Sequence, residues 1–188
     1  RSKLLGVGIC IAGRVNPETG RSYKYFTANP QSLSEMIESF IGHPVLIEND
    51  TRAKCYGEYS KGCTGNEKNI IYLNLGRGVA IGIIVDGKIY YGRSGFAGEF
   101  GHTPFFENEI ICDCGKKGCL ETEVSGIAIE NKMIAQIQKG RNTILMDKYN
   151  RTGKIHITDI IHAARNDDNL SIELIEEAGE KIGKSIAF

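Results

Sequence analysis

Gly98-Glu99-Phe100-Gly101-His102 and, beginning ten residues after that histidine, Cys112-Asp113-Cys114-Gly115-Lys116-Lys117-Gly118-Cys119-Leu120-Glu121 form the stretch on which the reading of this chain turns. In extended backbone, side chains two residues apart share a face, so Cys112 and Cys114 can grip one ion. Gly115 and Gly118 let the chain fold back, which brings in Cys119 as a third thiolate. His102 is the natural fourth ligand. Three sulfurs and one imidazole make the closed tetrahedral shell of a structural zinc site, with Zn–S near ~2.3 Å. Two plainer readings compete with zinc: a disulfide between two of the three cysteines, or thiols packed in the interior.

Working outward, the bulk numbers set limits. The chain has 188 residues, enough for one ordinary domain or two incomplete lobes with a real core. Hydrophobic residues make up 41% and charged residues 24%, as in soluble globular proteins. The 23 basic and 23 acidic residues cancel, and no Lys/Arg-rich run stands out. The segment therefore lacks the electrostatic footprint of a DNA-binding surface. Its longest apolar run, 4–12, holds two glycines and is far short of the ~18 residues a membrane span needs. No small-residue cleavage site follows it, so no signal peptide is expected. Of six cysteines, Cys10, Cys55 and Cys63 are scattered and read as packed thiols. A clustered trio beside a histidine, in a domain large enough to do without staples, points to metal binding in a reducing compartment, by default the cytoplasm.

The apolar run at 4–12 predicts a buried strand, and Asn16-Pro17-Glu18-Thr19-Gly20 a turn leading into an extended stretch through Tyr23, Tyr25 and Phe26. Ser32-Leu33-Ser34-Glu35 is a capping box. Leu33, Met36, Ile37, Phe40 and Ile41 follow on one helical face, and Gly42 stands where a terminating glycine belongs. A strand through Pro44-Val45-Leu46-Ile47 ends at Glu48-Asn49-Asp50, a helix is expected from Thr51 towards Tyr59, and residues 61–66 read as a linker. Strands at 69–75 and 79–85 flank Gly76-Arg77-Gly78. Asp86-Gly87 signals a type I′ hairpin returning through Tyr91. Residues 92–123 look like a site-forming loop region, and three helices close the chain at roughly 125–140, 157–167 and 170–187. The order is mixed α/β.

The quoted stretch, with Glu48-Asn49-Asp50, Arg52-Ala53, Gly57-Glu58, Gly6-x-Gly8, Gly13-Arg14-Val15 and Gly20, resembles the ROK family of bacterial sugar kinases and repressors over essentially the whole chain. The resemblance implies an incomplete actin/hexokinase-like (ribonuclease H-like) two-lobe ATPase fold with a zinc-binding loop. Residues 1–65 would belong to the N-terminal lobe and 66–188 to the C-terminal lobe, with segments missing at both ends. It implies that Asp50 is the catalytic base of a kinase, and that Asn49, Asp50, Glu99, His102 and Glu121 bind sugar. Zinc would be held by His102, Cys112, Cys114 and Cys119. The chemistry is coherent, since carboxylates accept hydrogen bonds from adjacent sugar hydroxyls and an aspartate within ~3 Å of one can act as general base. Plainer readings stand beside these: Asp50 as the cap of the helix at Thr51, Glu99 as a solvated loop residue, and Glu123 in place of Glu121.

Kinases of this family carry a Gly-Thr-Gly-Ile-Gly-Gly-Gly-like phosphate loop. Here the run is Gly76-Arg77-Gly78-Val79-Ala80-Ile81-Gly82, with Arg77 for the threonine and Ala80 and Ile81 for two glycines. Side chains there hold a nucleotide away from the backbone N–H groups. Degraded loops of this kind resemble those of the N-acetylglucosamine and xylose (NagC/XylR-type) repressors. The chain is therefore read as the sugar-sensing domain of a transcriptional regulator taking a hexose, an N-acetylhexosamine or a sugar phosphate. DNA would be contacted only through a winged-helix domain outside these residues, and a homodimer or homotetramer is implied. The alternative is an ATP- and magnesium-dependent hexose or N-acetylhexosamine kinase.

Overall fold

The computed structural model describes residues 4–187. They fall into two compact units, one running to Asn74 and including Ala80–Glu99, the other made of Leu75–Val79 and the chain from Phe100 onward. This division differs from the lobe boundary expected at 65/66, which concerns the lobes of the family fold.

In the first unit, strand β1 (Val7–Ile11) pairs in parallel with β4 (Val45–Asn49), from Val7 opposite Val45 to Ile11 opposite Asn49. Between them, β2 (Val15–Asn16) and β3 (Arg21–Ser22) pair antiparallel around the expected turn. There Asn16 Oδ1 accepts the Glu18 and Thr19 N–H groups. The extended stretch expected beyond it stops at Ser22. Ser22 Oγ accepts the Tyr25 N–H at 3.1 Å and bends the chain, and Phe26 takes a positive φ of 61°.

Helix α1 (Leu33–Ile41) starts at the capping box, with Ser32 Oγ accepting from Glu35 N and Glu35 Oε2 from Ser32 N, and ends at Gly42 with φ 69°. Leu33, Met36, Ile37 and Ile41 pack on Val15, Val45 and Ile47, with Val7, Ile9 and Ile11 alongside. Phe40, expected on the same face, is 91% exposed, because the two strands beneath cover only part of the apolar stripe. Helix α2 (Asp50–Lys61) follows β4 without a connecting residue. Strands β5 (Ile70–Leu75), β6 (Val79–Val85) and β7 (Lys88–Ile89) form a sheet in that order. Asp86 and Gly87, with φ 50° and 76°, make the primed turn that their sequence announces. The strand leaves the ladder at Ile89, before the expected Tyr91.

In the second unit a 3-10 turn (Phe100–His102) precedes an irregular loop and helices α3 (Glu121–Val124), α4 (Gly126–Gln138), α5 (Met146–Thr152), α6 (Ile157–Ala164) and α7 (Asn169–Ile186). Met133, Ile137, Ile160, Leu170, Leu174 and Ala178 are buried in it. Helix α5, not among the three closing helices expected, buries none of its residues and so shows no apolar stripe. The four-residue repeat read along α7 fades at Ile186, which is 60% exposed. A spacing of four against 3.6 residues per turn walks the stripe about 40° around the helix at each step. Among the described residues no helix is long and apolar enough to cross a membrane.

Candidate functional site

Two short antiparallel bridges, Pro104 with Cys119 and Ile111 with Lys117, fold the loop after His102 back on itself. Leu120 N–H donates to Thr103 O at 3.0 Å and Phe106 N–H to Gly118 O at 3.1 Å, so Cys119 returns beside the 3-10 turn. Cys112 N–H donates to Lys116 O, and Gly115 N–H to Cys112 O, making a tight knuckle around Cys112 and Cys114. The candidate ligand atoms of His102, Cys112, Cys114 and Cys119 all lie within 4.8 Å of one another. Cys112 Sγ is 3.3 Å from His102 Nδ1, and Cys114 Sγ is 3.6 Å from Cys119 Sγ.

A tetrahedral shell at ~2.3 Å separates its sulfurs by about 3.8 Å, so the donors are spaced to hold a zinc ion. All three cysteines are free thiols, not disulfide partners. Burial pushes the Cys112 thiol up and that of Cys119 up to about 12. Burial also acts on Cys114, but hydrogen bonds from the Lys116 N–H and the two neighbouring sulfurs outweigh it and leave its pKa lowered. Three thiolates this close need a cation to exist together.

Glu121 opens α3 on the same unit. Its Oε2 accepts the Val79 N–H at 2.9 Å, and its Oε1 lies 4.0 Å from His102 Nδ1. Its competitor Glu123 is committed elsewhere, for its carboxylate accepts hydrogen bonds from Lys132, Lys181 and Asn108. Burial raises the Glu123 pKa, but Lys181 and Lys132 more than offset it and keep it below the usual carboxylate range.

In the first unit Asn49 caps α2, its Oδ1 accepting the N–H groups of Thr51 and Arg52 at 3.0 Å each. Its amide donates to Gly13 O and to Asp50 Oδ1. The reading of Asp50 as the cap of a helix beginning at Thr51 is thereby corrected. The amide of Asn49 reaches the free N–H groups first, and Asp50 is the first helical residue. Glu99 Oε2 accepts from Arg14 Nε at 3.2 Å. Arg52, quoted only as part of a motif, proves central. It is buried and donates to Glu48 Oε1, Gly95 O and Val15 O. Glu48 also accepts from the Tyr91 hydroxyl, whose pKa is driven up to about 12 by burial and by that carboxylate. The sequence shows only an arginine four residues after a glutamate, which does not reveal its burial.

Gly76, Arg77 and Gly78, expected as the remnant of a phosphate loop, form the tip of the β5–β6 hairpin. Gly76 N–H donates to Gly78 O, Arg77 is exposed, and Ala80 and Ile81 lie within β6. A Cβ on Gly82 would stand 2.3 Å from Cys55 Cβ, and one on Gly78 would stand 2.4 Å from Glu121 Oε2.

The ROK family model matches residues 1–188. This chain belongs to the ROK family. It is 30% identical to a glucokinase of Halalkalibacterium halodurans over 190 residues, covering all of this chain and 58% of that protein. It is 32% identical to the xylose repressor of Caldicellulosiruptor bescii, covering 98% of this chain and 46% of that protein. A ROK family glucokinase from Streptomyces griseus, solved in complex with glucose and AMPPNP, superposes with a TM-score of 0.85 at 29% identity, covering 98% of this chain and 61% of that one. The chain thus spans about half the length of the curated relatives it matches. The expected actin/hexokinase-like α/β architecture is that of the ROK fold.

Proposed function

We propose that this ROK chain is the sugar-sensing effector domain of a transcriptional regulator, taking a hexose or N-acetylhexosamine. Asn49, Asp50, Glu99, His102 and Glu121 are its sugar-contacting side chains. His102, Cys112, Cys114 and Cys119 hold a structural zinc, which fixes the loop carrying His102 and the orientation of its imidazole. The observation carrying the regulator reading is the hairpin tip. Two of its remaining glycines, Gly78 and Gly82, are accounted for by protein atoms pressed against them, while Ala80 and Ile81 carry side chains where a nucleotide needs bare backbone. DNA contact, in this reading, belongs to segments other than these net-neutral 188 residues. Sugar acts by binding two states of the regulator unequally, which shifts its affinity for an operator.

One observation favours the kinase instead. Because Asn49 takes the cap, the Asp50 carboxylate at the start of α2 is not consumed in holding the helix and can serve as general base. The deciding experiment supplies the full polypeptide with D-glucose or N-acetyl-D-glucosamine and MgATP, and follows both ADP release and sugar binding by calorimetry. Sugar binding without turnover supports the regulator. ADP release that depends on Asp50 makes the protein a kinase.

A further inference from the structure

Glycine is found wherever backbone and a second group approach too closely for a side chain. In the second unit, two such approaches converge on the hairpin tip. A Cβ on Gly78 would stand 2.4 Å from Glu121 Oε2, and one on Gly101, beside His102, would stand 2.1 Å from Val79 O. Between these contacts Val79 donates its N–H to Glu121 Oε2 at 2.9 Å. The base of the tip is fixed too, since Gly126 N–H at the start of α4 donates to Gly76 O at 2.8 Å. The tip is thus held by the turn that carries His102, by the carboxylate of Glu121 and by the first residue of α4.

This gives Gly78 a purpose that has nothing to do with nucleotide. One Glu121 oxygen is committed to the Val79 amide, which leaves Oε1, on the His102 side, for any ligand. The carboxylate reaches that amide only because the space over Gly78 is empty. A methyl group at 78 would meet that carboxylate oxygen at 2.4 Å, so the flexible end of Glu121 would have to swing off the tip. We propose that Gly78 is a positioning residue for Glu121, so that the hairpin tip, through Gly78 and the Val79 N–H, fixes the carboxylate oxygen offered to the sugar. This rests on the reading of Glu121 as a sugar ligand. Its consequence is that the tip and the sugar site are one coupled element even where no nucleotide is bound.

A double-mutant cycle on the full polypeptide tests it, with Gly78→Ala, Glu121→Ala and the pair. Residues that share a contact are expected to couple, and distant ones to add. In the first arm thermal unfolding is measured without sugar. Gly78→Ala is expected to lower the melting temperature in the wild-type background, but to be close to neutral once Glu121 is alanine. If Gly78→Ala alone does not fold, the pair should, as a rescue. In the second arm D-glucose and N-acetyl-D-glucosamine are titrated calorimetrically. Gly78→Ala is expected to weaken binding by about tenfold with zinc content unchanged, and to weaken it no further in Glu121→Ala. Equal effects of Gly78→Ala in both backgrounds in the unfolding arm, or failure of the pair to fold, overturn the proposal. Coupling in that arm without any sugar binding by the wild type sinks the sugar reading and leaves the contact standing as structural only.

Discussion

At the scale of single residues, Arg52 shows how one side chain can organise a site without belonging to it. Its side chain is 4% exposed, and the guanidinium spans Glu48, the carbonyl of Val15 and the carbonyl of Gly95. Its plane also lies 5.1 Å from the centroid of the Tyr91 ring. Arg52→Ala would leave two buried carbonyls without this donor and the Glu48 carboxylate without its ion pair, and is expected to cost about 3 kcal/mol. Arg52→Lys should recover little of this, because an ammonium cannot fork to three acceptors fixed in different directions. Urea unfolding of the two variants checks it; a lysine variant as stable as the wild type would show that charge alone matters there. The cysteines make the second residue-level prediction. Elemental analysis should find one zinc per chain, and Cys112→Ser, Cys114→Ser or Cys119→Ser should each lose it while binding of a chelator-released ion is not regained. Metal-free wild type that melts no earlier than the loaded protein would deny the ion a structural role.

At the scale of elements, local chemistry was legible where a segment satisfies its own backbone. The Ser32/Glu35 box and Gly42 bracket α1 as their spacing requires, and Asp86-Gly87 sets the β6–β7 register. Ser32→Ala should therefore cost α1 about 1 kcal/mol while leaving sugar and zinc binding untouched. Thermal unfolding paired with calorimetry reads both halves of that statement. What escaped the sequence depends on contacts far along the chain. Glu121 and Glu123 are both glutamates two residues apart, and nothing local says that Lys132 and Lys181 will claim the second. Asn49 and Asp50 are both good caps, and the choice between them rests on where β4 ends against β1. The grouping of His102, Cys112, Cys114 and Cys119 was readable because three cysteines and a histidine have few other uses at that spacing. Arg52 was not, because its acceptors at Val15 and Gly95 come from segments distant in the chain.

At the scale of the whole molecule, neutral composition hides an uneven dependence on pH. Asp168 caps α7 and ties it to the 143–145 segment, its carboxylate accepting from Ser171, Thr143 and the Ile144 N–H. Burial alone would raise its pKa, yet these donors leave it lowered, and Glu123, Glu177 and Asp159 are lowered as well by their lysine partners. A carboxylate whose folded pKa lies below its unfolded value of ~3.9–4.3 stabilises the fold fully above that range and loses the contribution as pH falls through the folded pKa. Lys181 is shifted upward, so its contribution is complete below ~10.4 and is lost only in strong alkali. Stability should therefore be flat from about pH 5 to 8, fall above that range as the unfolded chain releases thiol protons that burial makes Cys55 keep in the fold, and fall below pH 4, where the 23 lysines and arginines and 4 histidines also repel one another without opposing charge. Asp168→Asn isolates one part of this. The asparagine keeps an oxygen for capping but has no charge to lose, so it should be less stable than wild type at pH 7 by about 1 kcal/mol. The deficit should shrink when the pH is taken from 7 down to 2, towards the lowered folded pKa at which the native aspartate is itself protonated. Denaturant unfolding of both proteins at the two pH values measures it, and a deficit that stays constant with pH would mean that shape, not ionisation, is what Asp168 contributes.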